Sequence, residues 1–146
     1  MKLRLLRKGD ILSCSKIVGE NYSKKYEKNS TKEMKEMFSK SLIKPRYIVA
    51  EKNYEILGFG GYTQSFMDYH VYQIFWINVK PNFQNKGIGT KIVKRIIEDI
   101  KKTNVEGKKP LLIQLTTTNP NFYKKIFNFK TIAILKEGHH LMSLFI

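Results

Sequence analysis

The seven residues Gln84-Asn85-Lys86-Gly87-Ile88-Gly89-Thr90 constrain this chain more than any other segment. Ahead of them, Tyr72 to Val79 is aromatic and β-branched, the pattern of a strand, and Pro81 stops it. Behind them, apolar residues at 88, 92, 93, 96, 97 and 100 form one face of an amphipathic helix. A chain that turns from strand to helix through two glycines leaves the first helical amides unpartnered at the positive end of the helix dipole. Such a turn binds phosphate. The segment therefore predicts layered helix and sheet, with a phosphorylated ligand at their junction.

Two phosphate loops are excluded residue by residue. A P-loop needs Lys after its second glycine, where this chain has Thr90. A dinucleotide fingerprint beginning at Gly87 needs a third glycine where Ile92 stands, and no acidic residue closes a second strand about 20 residues on. A third pattern fits: Val79-Lys80-Pro81, then Gln84-x-x-Gly87-x-Gly89 entering an amphipathic helix, resembles motif A of the GNAT superfamily of acetyl-CoA-dependent N-acyltransferases. The resemblance implies that Gln84, Asn85, Lys86, Gly87, Ile88, Gly89 and Thr90 hold the pyrophosphate of coenzyme A. It also puts Ile77 and Val79 along the same ligand, with a backbone N–H near Val79 facing the developing oxyanion. Glycine at 87 and 89 suits this because a side chain would hold backbone and phosphate apart.

With 146 residues the chain is read as one domain, residues 1–146, large enough for a single core. No apolar run reaches the ~18 residues of a membrane span, and Met1-Lys2-Leu3-Arg4 is not followed by a signal-peptide core. The lone Cys14 has no disulfide partner, so a reducing, cytoplasmic setting is expected. Among Ile11, Leu12, Ile17 and Val18 it reads as a small core residue rather than a nucleophile.

The remaining pattern predicts a strand at 3–6, a helix from an Asp10 N-cap to about Tyr22, and a second helix over 32–40. Ser30 or Thr31 is the expected cap of that second helix, and Met34, Met37, Phe38 and Leu42 its apolar side. A hairpin at 46–51 and 56–62, the strand at 71–79 and the helix to about Lys102 follow, then a strand at 111–116, a helix at 121–127 and strands at 129–135 and 140–146. The order β-α-α-β-β-β-α-β-α-β-β is that of an α/β chain with a mixed, mostly antiparallel sheet and helices on both faces. It matches the GNAT order throughout.

A second motif lies at Asn119-Pro120-Asn121-Phe122-Tyr123-Lys124-Lys125-Ile126-Phe127-Asn128-Phe129. It resembles the GNAT segment whose tyrosine protonates the departing coenzyme A thiolate, which makes Tyr123 the catalytic acid. A phenol with a pKa of about 10 can supply that proton and still be protonated at neutral pH. Asn128 replaces the family's glycine, and Asn tolerates the left-handed conformation of a helix end. Asn119 or Asn121 is expected on the pantetheine arm, Asn119 preferred; helix capping accounts for either equally well.

Many family members carry a carboxylate base on the strand before the turn, and residues 71–79 contain none. A water relay, Asp68 and His70 remain as alternatives. His139 and His140 read as residues of a surface turn, and no Cys/His/carboxylate cluster supports a metal site. The net charge of +15 raises nucleic-acid binding. Against it, Lys outnumbers Arg 23 to 4, and the lysines are scattered.

Three functions are thus weighed: an N-acetyltransferase using acetyl-CoA and a small-molecule or peptide amine by direct attack in a ternary complex, a catalytically weak coenzyme A-binding module, and a basic nucleic-acid-associated protein. The first is favoured. No membrane partner is expected, and a homodimer is compatible with the sequence. The helices at 10–40 and the segment Ser65 to His70 are the expected walls of the acceptor cleft. Mixed charge on the first and aromatic side chains on the second favour a mono-amine over a polycation.

Overall fold

Alternation of side chains across the strands builds one seven-stranded sheet in the computed structural model, which describes residues 1–146. The elements are β1 (Lys2–Leu5), α1 (Ile11–Asn21), α2 (Lys24–Lys35), β2 (Arg46–Lys52), β3 (Glu55–Gln64), β4 (Val71–Val79), α3 (Ile88–Lys101), β5 (Leu112–Thr117), α4 (Pro120–Phe127), β6 (Lys130–Ile134) and β7 (His140–Phe145). The strand order is β1-β2-β3-β4-β5-β7-β6. β4 and β5 pair in parallel across the α3 crossover, and the other neighbours are antiparallel. The mixed, mostly antiparallel sheet expected from the sequence is the one observed.

Helices cover both faces, and β2 shows how. Its residues Tyr47 to Ala50 are all buried, as in a strand with no solvated side. Ile48 and Ala50 meet the buried α3 residues Ile88, Ile92, Val93, Ile96, Ile97 and Ile100, while Tyr47 and Val49 join Ile11, Cys14 and Val18 of α1 and Met34 of α2. β-branched residues are indifferent helix formers. Burial of six such side chains, at about 1.5–3 kcal/mol each, is what holds α3 in place. Gly60 on β3 permits the close approach: a Cβ there would collide with Ile77 and Ile92.

The second helix departs from the expected 32–40. α2 begins at Lys24 after Ser23, and Ser30 and Thr31 lie inside it. Their hydroxyls donate back to the Glu27 carbonyl at 2.8 and 2.9 Å, the i−3 and i−4 bonds these residues make within helices. With that hydrogen committed, Thr31 Oγ1 accepts from the Ser15 hydroxyl at 2.6 Å and so ties α2 to α1. Met34 is buried, but Leu42 is 89% exposed beyond the helix and belongs to no apolar face.

Asp10 holds the expected N-cap position of α1 but does not cap the helix with its side chain. It closes a 3₁₀ turn (Lys8–Asp10) ahead of α1. Its carboxylate accepts instead from Arg4 at 2.7 and 3.1 Å and from the Arg7 N–H at 2.7 Å. Burial pushes the Asp10 carboxyl up; the Arg4 guanidinium and the Arg7 amide outweigh it and hold the group below the ordinary carboxylate range.

Candidate active site

β4 is broken at Trp76, whose φ of 53° is positive for a bulky residue. The pairing with β3 shifts register there, between Phe59 and Gly61, as a β-bulge requires. On the other edge β4 meets β5 only at residues 71–73 opposite 112–114. Beyond that point the two strands diverge, and β5 keeps its partner β7 along residues 112–117. The sheet is therefore split in a wedge at the C-terminal end of β4.

Backbone direction in the wedge follows from one bond. The Lys80 N–H donates to the Leu57 carbonyl of β3 at 2.8 Å. Alternation along a strand then turns the Ile77 and Val79 N–H groups the other way, toward the open edge. The Val79 carbonyl is fixed by two side chains, Asn21 Nδ2 at 3.0 Å and Gln84 Nε2 at 3.1 Å. Asn21 also donates to Asn78 Oδ1 and accepts from Gln84, each at 3.0 Å.

The glycine turn closes the same end. Asn85 (φ 60°) and Gly87 (φ 83°) are left-handed, and Gly87 is the N-cap of α3. The first cap bond runs from the Lys91 N–H to the Gly87 carbonyl at 3.2 Å, and no side chain caps the helix. The amides of Ile88, Gly89 and Thr90 therefore have no intrahelical acceptor. A Cβ on Gly89 would stand 3.7 Å from Val79 Cγ2 and 4.0 Å from Phe122 Cζ, so this glycine faces the mouth of the wedge between β4 and α4.

α4 supplies Tyr123, whose ring packs on Phe122, Phe127 and Phe129 with centroids 4.9, 6.5 and 5.7 Å away. Asn128 ends the helix in the left-handed conformation (φ 63°), taking the geometry of the missing glycine. The Phe129 N–H donates to the Tyr123 carbonyl at 3.2 Å. Tyr123 is 7% exposed, and burial pushes its phenol well above the ordinary tyrosine range.

Tyr123 lines a cavity of about 480 Å³ together with Tyr22, Tyr26, Phe75, Trp76, Asn78 and His139, floored by Ile74, Ile77 and residues 115–118 of β5 and its loop. Tyr22 and Tyr26 meet edge to face at 6.1 Å, and Tyr26 meets Trp76 likewise at 6.5 Å. The Trp76 indole donates to Glu33 of α2 at 2.9 Å. A larger hollow of about 560 Å³ lies between the Lys8–Asp10 turn, α1 and the β2–β3 hairpin. Within it Arg4 pairs with Asp10 and Glu51, and Lys80 pairs with Glu55. It holds neither the glycine turn nor Tyr123, so the smaller, aromatic cavity is the candidate site.

The family model for the acetyltransferase (GNAT) family matches residues 13–129, a span that includes both the glycine turn and Tyr123. This chain belongs to the GNAT acetyltransferase family. As such it is an acyl-transferring enzyme. Solved GNAT structures share the fold. A protein described as a GNAT acetyltransferase from Desulfovibrio desulfuricans superposes with a TM-score of 0.85 at 17% identity, covering 99% of this chain and 98% of the other. An aminoglycoside 6′-N-acetyltransferase complexed with coenzyme A gives 0.78 at 16% identity, covering 99% and 97%. A ribosomal-protein-alanine N-acetyltransferase from Brucella melitensis gives 0.78 at 13% identity, covering 100% of both. Among curated protein sequences none matches.

Several residues of this GNAT chain lie elsewhere than expected. Ser65 to His70 does not wall the cavity, because it joins β3 to the start of β4, whereas the cavity lies along the other half of β4. Asp68 and His70 are engaged there: Asp68 Oδ1 accepts from the His70 N–H at 2.8 Å, and His70 Nδ1 meets the Lys109 carbonyl at 2.7 Å. The opposite wall is Trp76 at the bulge and His139. His139 was expected on a surface turn; it stands on the turn between β6 and β7, which folds back over the wedge. Asn119 is the N-cap of α4 but makes no side-chain cap bond, so its amide is not engaged by the helix. Asn21, Tyr22, Tyr26 and Glu33 carried no motif that marked them.

Proposed function

We propose that this enzyme transfers an acetyl group from acetyl-CoA to a primary amine bound in the aromatic cavity. The observation that carries the reading is the convergence of three elements on one wedge: open amides at the α3 N-terminus, inward N–H groups of Ile77 and Val79, and Tyr123 on α4. The turn at 84–90 fits a pyrophosphate by charge and by room, since positive φ and the absence of Cβ atoms at 87 and 89 keep the backbone accessible. Asn119 extends that line toward the pantetheine arm.

The transfer is direct. The amine nitrogen bonds to the thioester carbon, charge develops on the carbonyl oxygen beside the Val79 N–H, and the C–S bond breaks. Tyr123 gives its proton to the leaving thiolate and recovers one from the acylated nitrogen. Cys14 takes no part. It is buried in the α1–α2 core, and that burial pushes its thiol far above the range in which it is a nucleophile.

The acceptor is a mono-amine with an aromatic or apolar body, or a peptide amino group. Tyr22, Tyr26, Phe75 and Trp76 offer ring faces, and no carboxylate lines the cavity. A polycation such as an aminoglycoside needs several carboxylates to replace its hydration. Amine-dependent release of coenzyme A thiol, measured across amine classes, tests the proposal.

A further inference from the structure

A direct attack needs a neutral amine, yet most primary amines are ammonium ions at neutral pH. Their proton must leave before the nitrogen can bond to the thioester. β4 carries no carboxylate to receive it. Among the residues around the cavity, Asn78 and Thr116 to Thr118 are not bases, and Tyr22, Tyr26 and Tyr123 offer phenolic hydroxyls rather than a carboxylate or an imidazole. Glu33, bonded to the lining residue Trp76, is exposed on α2 and accepts its indole N–H, and Glu137, on the His139 turn, is exposed and does not line the cavity. His139 is the remaining titratable group.

The turn that carries His139 is well fixed. Glu137 (φ 60°) and Gly138 (φ 73°) are both left-handed, the conformation of tight hairpin turns and a strained one for glutamate. The Leu135 N–H donates to the His139 carbonyl at 2.7 Å, and the His139 N–H donates to the Lys136 carbonyl at 3.3 Å. His139 Nδ1 lies 3.2 Å from that same carbonyl. A carbonyl oxygen only accepts, so Nδ1 carries the hydrogen and Nε2 keeps its lone pair. The other two histidines are placed differently: His70 is bound to Lys109 outside the cavity, and His140 pairs with Thr131 at 3.0 Å.

We propose that His139 is the base that deprotonates the acceptor ammonium. The inference rests on the transfer reading above. The ammonium N–H bond breaks, the proton passes to Nε2 of His139, and the electron pair stays on the amine nitrogen for attack. The imidazolium then returns the proton to solvent through the cavity mouth. Each turnover thus releases one proton through His139, while Tyr123 cycles its own between the acylated nitrogen and the thiolate.

The test compares the wild type with His139→Gln in kcat/KM for an aryl-alkylamine from about pH 6 to about pH 10, with acetyl-CoA affinity by calorimetry as the check on folding. Loss of a general base predicts a fall of about 100-fold near pH 7. The gap should close to about threefold near pH 10, where solvent deprotonates the amine unaided. His139→Gly should recover activity with added imidazole, an outcome that a purely structural role does not produce. A loss of the same factor at every pH, or no loss in a variant that binds acetyl-CoA normally, would overturn the role of His139 alone. A wild type that binds acetyl-CoA but releases no thiol with any amine would overturn the transfer reading and the base with it.

Discussion

Asn21 at the end of α1 and Gln84 in the glycine turn, 63 residues apart, are joined by a 3.0 Å hydrogen bond, and both donate to the Val79 carbonyl. The two amides hold the Val79–Lys80 peptide from one side. The Val79 N–H points to the same open edge as that carbonyl and faces the transferred acetyl group in the proposed mechanism. Gln84 thereby serves the site through its side chain as a brace, whatever its backbone offers to phosphate.

The brace predicts coupled losses. Removing a neutral hydrogen bond costs about 1 kcal/mol of stability. Asn21→Ala and Gln84→Ala should each lower Tm by a few degrees, and each should lower kcat/KM for acetyl-CoA about tenfold. The double variant should lose less than the sum, because the residues share one network. Strict additivity in a thermal-melt and kinetic cycle would show that the two amides act separately.

The two glycines of the turn should fail for different reasons. Gly87 sits at φ 83° with open space around it, so Gly87→Ala is strained by conformation. That substitution should cost about 1 kcal/mol in folding. At Gly89 the backbone is ordinary helix, and a small Cβ would find normal contacts at Val79 and Phe122. Gly89→Val should therefore leave Tm nearly unchanged while projecting bulk into the wedge mouth and abolishing acetyl-CoA binding. Calorimetric affinity equal to wild type in folded Gly89→Val would remove the turn from the coenzyme A site.

Tyr123→Phe should reduce kcat by about 10²–10⁴-fold with acetyl-CoA affinity nearly intact. The pH sign follows from burial, which raises the folded phenol above its ordinary value of about 10. The acid stays protonated throughout the neutral range, so no alkaline loss of activity below about pH 10 should trace to it. Turnover within twofold of wild type in Tyr123→Phe would exclude the residue from the chemistry. Cys14→Ala should leave turnover unchanged in the folded protein.

The strand-to-helix turn was legible because its glycines, proline and six buried α3 positions are neighbours in sequence and obey one period. Tyr123 was legible for the same local reason. The bulge was not: Phe75 and Trp76 read as ordinary strand residues, and nothing in their type reports a positive φ at Trp76. Asn21 and His139 reach the site through tertiary placement, across 57 residues to Asn78 in one case and by a hairpin folding back in the other. Ser30 and Thr31 misled because the hydroxyl that caps a helix also bonds back inside one.

Arg4 and Asp10 should give the fold an acid-sensitive joint. The folded Asp10 carboxyl lies below its unfolded value of about 3.9, so its contribution is complete above that value and lost as pH falls through the folded one. Asp10→Asn should therefore destabilise by about 2 kcal/mol at pH 7. The difference from wild type should shrink below about pH 4. A stability gap independent of pH in denaturant titrations would show that the Asp10 charge contributes nothing.

The central claim is acetyl transfer to a mono-amine in the cavity bounded by Tyr22, Tyr26, Trp76 and Tyr123. Its most direct measurement is the initial rate of coenzyme A thiol release from acetyl-CoA with an aryl-alkylamine, a short peptide, spermidine and an aminoglycoside compared at equal concentration. The account predicts amine-dependent release, fastest with the aryl-alkylamine or the peptide and at least about tenfold slower with either polycation. Release that no amine accelerates, or that spermidine or the aminoglycoside accelerates most, would contradict it.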